Sequence, residues 1–184
     1  MSAGAARALT SSGLHNHFEL FGLVPAFALD LEALERSYRE IQSRVHPDRF
    51  AQAGDAERRA SLQWTTRVNE AYRTLQDPVQ RGKHILDLRG VDVAFETNTQ
   101  MPTDFLLQQL ALREELESAV SRKDAPALDR LRADLSQSKK ALESQIGIAI
   151  DANQDYAGAA DLVRKLMFLD RMHAEIVQAY EEVE

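Results

Sequence analysis

The sequence predicts an all-α protein in which a helical hairpin is joined to an antiparallel three-helix bundle. Three observations carry that expectation. Apolar residues recur at spacings of three and four through most of the chain, and no segment sustains the period-2 alternation of a half-buried strand. Residues 91–102 lack a helical period, which marks a linker between two helical sets. The charge changes at the same place: residues 14–90 carry no net charge, whereas residues 91–184 carry −8. Two units with different electrostatics imply two kinds of partner.

Residues 1–13 are small and polar and are expected to form a disordered tail. A short apolar stretch (Phe18, Leu20, Phe21, Leu23) follows. Asp30 is a helix N-cap, with Glu32 in the first turn, where the helix dipole favours a negative charge. Leu31, Leu34, Tyr38, Ile41 and Val45 then form one apolar stripe. That helix should stop near Val45, because the residue before Pro47 is driven out of the α region. After a polar loop, a second helix is expected over about 55–76, with Trp64, Val68, Ala71 and Leu75 on its inner face. Asp77-Pro78 reads as an N-cap followed by proline at the first helical position, and Gly90 reads as the glycine that ends this third helix. Beyond the linker, helices are expected over about 104–122, over 124–150 with Pro126 in the first turn, and from near Asn153 to the end. Short polar joints between long amphipathic helices make an antiparallel bundle over 103–184.

Composition narrows function. The chain has 184 residues, 44% hydrophobic and 28% charged, with a net charge of −7. That is enough apolar material for a core and the wrong sign for a nucleic-acid binder. The absence of cysteine removes disulfides, thiolate metal sites, cysteine-held clusters and cysteine nucleophiles. No apolar run is long enough to span a bilayer, and the first residues lack a secretory h-region, so a cytoplasmic location is expected. No glycine-rich phosphate loop occurs, so the chain is expected to bind no nucleotide, and neither a cofactor nor a metal is expected. His15-Asn16-His17 lacks further ligands nearby, and His84 and His173 stand isolated in the sequence.

The tripeptide His46-Pro47-Asp48 lies between the first two long helices. The preceding helix has a partly basic outer face with Arg36, Arg39 and Arg44, and Arg49 follows the tripeptide. The next helix closes with Val68-Asn69-Glu70-Ala71-Tyr72-Arg73-Thr74-Leu75. Over about residues 17–88 this combination resembles a J-domain, the module that stimulates ATP hydrolysis by DnaK-type heat-shock chaperones. The resemblance implies that His46, Pro47 and Asp48 are the trigger and that Tyr38, Arg39, Arg44 and Arg49 are candidate docking residues. The physics agrees. Proline restricts the loop and lowers its ordering cost, Asp48 can accept a charge-assisted hydrogen bond, and a basic face steers towards an acidic surface. Tyr38 also sits on the apolar stripe, which places it in the core before it places it at a contact. Glu35 and Glu40 depart from the strongly basic helix of general J-proteins and imply a specialised partner.

The rest of the chain tightens the resemblance. The residues are Phe18-Glu19-Leu20-Phe21-Gly22-Leu23, His46-Pro47-Asp48-Arg49-Phe50, Phe105-Leu106-Leu107, Gln109-Leu110, Leu112-Arg113-Glu114-Glu115-Leu116, Arg164-Lys165-Leu166 and Phe168-Leu169-Asp170. Together they resemble the HscB-type J-domain co-chaperones of iron–sulfur cluster assembly, from about His17 to the end. That resemblance implies a two-module adaptor without enzymatic activity. Its J-domain (14–90) would engage a HscA/DnaK-type chaperone and stimulate its ATPase. Its bundle would bind an IscU-like scaffold protein through Leu106, Leu107, Leu110, Glu114 and Phe168. Two acidic positions of the family's patch are Ala111 and Ser118 here. Leucines on more than one face of the first bundle helix exceed what a core requires. Phe168 lies off the stripe formed by Leu162, Leu166, Leu169, Met172 and Ile176, which predicts exposure.

Overall fold

The computed structural model describes residues 16–50, 52–93 and 102–183, with the side chain of Pro47 outside that description. The tail at 1–13 and linker residues 94–101 also lie outside the described residues. Every regular element described is helical. The chain divides into two compact units after Leu88.

In the first unit, α1 (His17–Leu20) is capped by Asn16, whose side chain accepts from the Phe18 N–H at 3.0 Å. Helix α2 (Leu31–Val45) starts where Asp30 accepts from the N–H groups of Glu32 and Ala33, both at 3.0 Å. Leu31 is exposed, so the buried part of the apolar stripe begins at Leu34. A 3₁₀ turn, Pro47–Phe50, leads to α3 (Asp55–Gln76). Tyr38 meets Asn69 while Val45 meets Ser61, so residue numbers run in opposite senses and the two helices are antiparallel. Asp77 caps α4 (Pro78–Leu88) by accepting from the Gln80 N–H at 2.8 Å, and Pro78 takes the first helical position, where a missing N–H costs nothing. Phe18, Leu34, Val68, Ala71, Leu75 and Leu86 form a core that excludes solvent. Arg81 is buried beside it; its guanidinium donates to the Leu75 carbonyl at 2.6 Å and lies 4.9 Å from the centroid of the Phe27 ring.

The second unit holds α5 (Thr103–Ser121), α6 (Ala125–Gly147) and α7 (Tyr156–Val183). Lys123 (φ 53°) makes the turn between α5 and α6, and Asp124 caps α6 through the Ala127 N–H at 2.9 Å. A π-helical turn, Ile148–Ala152, ends α6, and the Asp155 carboxylate accepts from the Gly158 N–H at the start of α7. Tyr180 donates to Asp129 and Lys139 pairs with Asp170, so α6 and α7 are antiparallel. Phe105 meets Phe168 and Arg113 faces Glu175, so α5 and α7 run parallel. Leu116, Leu128, Leu135, Phe168, Leu169 and Met172 are among the residues that fill the space between them. Buried Arg164 ties the start of this unit to α7 by donating to the Val93 carbonyl at 2.8 Å.

One expectation fails here. Phe168 is 8% exposed and belongs to the core. A single stripe underestimates the buried arc of α7, because that helix packs against both α5 and α6. Phe168 lies one turn before Met172, about 40° round the helix at 100° per residue, on the side facing α5. There it meets Phe105 edge-on at 5.7 Å.

Candidate functional site

The loop of the first unit is built from both flanking helices. His46 has an extended backbone (φ −57°, ψ 131°) that ends α2, as a residue before proline should. The chain then turns at once, with the Arg49 N–H donating to the His46 carbonyl at 3.1 Å. Within the turn, the Asp48 N–H donates to His46 Nδ1 at 3.3 Å. The Asp48 carboxylate lies 3.5 Å from the same Nδ1 and is 89% exposed, so it remains open to an incoming donor.

Two residues that the sequence did not single out hold this loop. Ser61 and Thr65, one turn apart on α3, both donate to the Val45 carbonyl, at 2.6 and 3.2 Å. Val45 immediately precedes the tripeptide, and its carbonyl lacks an intrahelical partner at the α2 terminus. Ser61 is buried, so this contact is shielded from water. Hydroxyls four residues apart on a helix facing a proline-terminated neighbour were the available signal.

Tyr38 is committed to the contact between α2 and α3. Its ring stacks on Tyr72 at 4.1 Å, and its hydroxyl donates to Asn69 while accepting from Gln42, both at 2.9 Å. Arg39 and Arg44 are exposed, but each pairs with a glutamate one turn earlier, Glu35 and Glu40 respectively. Arg36 faces Glu32 at 3.7 Å in the same register. Arg49 differs: it donates to the Ser43 carbonyl at 3.0 Å and has no carboxylate partner among the described residues.

His84, isolated in sequence, is not isolated in space. Its Nε2 accepts from the His17 N–H at 3.0 Å, and the two rings stack at 4.2 Å. Burial, and then the charge of His17, lower the His84 pKa to about 4. Burial likewise lowers that of His17. Among the described residues, no group of three or more histidine, aspartate or glutamate side chains is placed to hold a metal ion.

On the bundle, Leu106, Leu107 and Leu110 are 46%, 60% and 55% exposed. At about 100° per residue they share an arc of roughly 140° with Glu114, Ala111 and Ser118. The opposite arc of α5 carries Phe105, Leu112, Leu116 and Ala119, which face the core. Helix α5 thus has two apolar faces, and only one is used internally. Glu114, Ala111 and Ser118 border a cleft of about 530 Å³ that also holds Glu115, Arg122 and Arg130, so its charge is mixed. Phe168 is not in this arc; it lines a separate, more apolar cleft of about 330 Å³ with Phe105, Leu112 and Leu142. The structure therefore brings Leu106, Leu107, Leu110 and Glu114 together and leaves Phe168 apart.

A helical hairpin with a histidine–proline–aspartate turn, followed by a three-helix bundle with a spare apolar face, is the architecture of a J-domain co-chaperone with an appended helical domain. Residues 101–177 match the family model described as the HSCB C-terminal oligomerisation domain. The chain is 49% identical over 169 residues to a co-chaperone protein HscB homolog of Burkholderia mallei, covering 92% of this chain and 96% of that one. Its fold is similar to that of chaperone HscB from Vibrio cholerae, with TM-score 0.80, 32% identity and coverage of 92% and 99% of the two chains. Human co-chaperone protein HscB is also similar, with TM-score 0.84, 26% identity and coverage of 89% and 81%. The chain belongs to the HscB family of co-chaperones.

Proposed function

We propose that this co-chaperone serves iron–sulfur cluster assembly by holding two proteins on two separate surfaces. The bundle (103–184) binds an IscU-like cluster scaffold. The J-domain (14–90) engages a HscA/DnaK-type chaperone and stimulates its ATPase, and the linker (91–102) joins them. Hydrolysis locks the chaperone on the scaffold and promotes transfer of the cluster to acceptor proteins. The bond broken is in the partner's ATP, so in this reading the co-chaperone itself is no enzyme, and a cytoplasmic location is part of the same proposal. Among the described residues no helix is long and apolar enough to cross a membrane.

The observation that carries this reading is the unused face of α5. Leu106, Leu107 and Leu110 remain about half exposed on a helix that already buries another apolar face, and Glu114 lies beside them. A clustered apolar patch with a polar edge is the composition of a protein-binding surface. His46, Pro47, Asp48, Arg39, Arg44 and Arg49 carry the chaperone contact in this reading, with Tyr38 holding α2 in place beneath them. Phe168 supports the bundle from inside and is not proposed as a contact.

Titration of the purified chain against a scaffold protein and against a denatured generic client tests it. Saturable binding of the scaffold, strongly weakened by substitution of the three leucines, is expected. Equal binding of both probes would favour instead a general J-domain protein that delivers unfolded clients.

A further inference from the structure

We propose that Glu35 and Glu40 act as a specificity filter on the chaperone-docking helix, a reading that rests on the proposed J-domain function. Both lie on α2, four residues before Arg39 and Arg44, and each holds the following arginine in an ion pair. Glu32 stands in the same relation to Arg36. All three pairs place the glutamate on the N-terminal side, the favoured order at this spacing. Three glutamates offset three arginines, so α2 carries no net charge. Both guanidiniums are exposed, so a chaperone carboxylate that approaches either one does so beside Glu35 or Glu40 and competes with that glutamate for the same charge. A uniformly acidic docking surface meets repulsion at that point. A surface that sets a cation beside its carboxylates pairs with both members. This is discrimination by a repulsive element in addition to an attractive one. Arg49, next to the trigger tripeptide and without a carboxylate partner among the described residues, is the charge offered at no such cost.

The test compares the full-length chain with Glu35→Gln/Glu40→Gln. The readout is the co-chaperone concentration giving half-maximal ATPase stimulation of a general DnaK and of a HscA-type chaperone, at low and at physiological salt. Each freed pair is worth roughly a factor of two, so the double variant is expected to engage the general DnaK about fourfold more tightly at low salt. The salt dependence should steepen, and the HscA-type chaperone should gain nothing. Arg49→Gln should weaken stimulation more than Arg39→Gln or Arg44→Gln. If His46→Gln abolishes stimulation but the glutamate variant shifts neither half-point nor salt dependence, the filter is overturned while the J-domain reading stands. If His46→Gln leaves stimulation unchanged, both fall.

Discussion

Truncation of the leucine face separates a surface from a core with one experiment. Leu106, Leu107 and Leu110 are 46–60% exposed, so about half of each side chain is left for a partner to cover. Complete burial of a leucine is worth about 1.5–3 kcal/mol, so covering the exposed half yields about 1 kcal/mol each. Replacing all three by alanine should weaken scaffold binding by about 3 kcal/mol, or roughly a hundredfold. Folding stability should change little, since the buried arc of α5 is untouched. Phe168→Ala is the internal contrast. It is 8% exposed and packs edge-on against Phe105, so truncation should cost about 3–5 kcal/mol of stability. Calorimetric titration gives the first quantity and denaturant unfolding the second. A leucine triple variant that unfolds easily, or one that binds the scaffold like the parent, would refute the two-faced reading of α5.

Two further outcomes follow from the J-domain. The folded-state pKa of His84 is lowered to about 4 from 6.5, and that of His17 is lowered in the same direction. The unfolded chain therefore takes up more protons below pH 6.5, so their contribution to stability is complete above that pH and is lost as pH falls towards 4. The melting temperature should drop across that window, and His84→Phe should flatten the dependence. Ser61→Ala should leave the Val45 carbonyl with only the longer Thr65 bond, costing about 1 kcal/mol and reducing ATPase stimulation with little loss of helix content by circular dichroism.

Local signals were legible wherever one residue type answers one backbone need. Asp30, Asp77 and Pro78 mark helix starts at the positions the structure uses, and Gly90 has the φ of 71° that a helix-ending glycine adopts. Proline at 47 stops α2 at Val45. The tripeptide was legible as a candidate from its place between two amphipathic helices and its resemblance to a J-domain, and the α5 leucines because they exceed one apolar face of their helix. What escaped depends on distance along the chain. His17 and His84 are 67 residues apart, and no spacing rule joins them. The Ser61 hydroxyl resembles any mid-helix serine until the end of α2 is laid against it. Phe168 was misplaced because one apolar stripe per helix holds for a helix with one neighbour, and α7 has two. The arginines of α2 look basic when counted alone, and neutral once the glutamate four residues earlier is counted with each.

Division of labour between the two modules is the central claim, and His46→Gln probes it most directly. Chaperone ATPase stimulation and scaffold affinity should be measured on the same preparation of that variant. The account expects stimulation to vanish while scaffold affinity stays at the parent value. A comparable loss of both, or retention of stimulation, would contradict it.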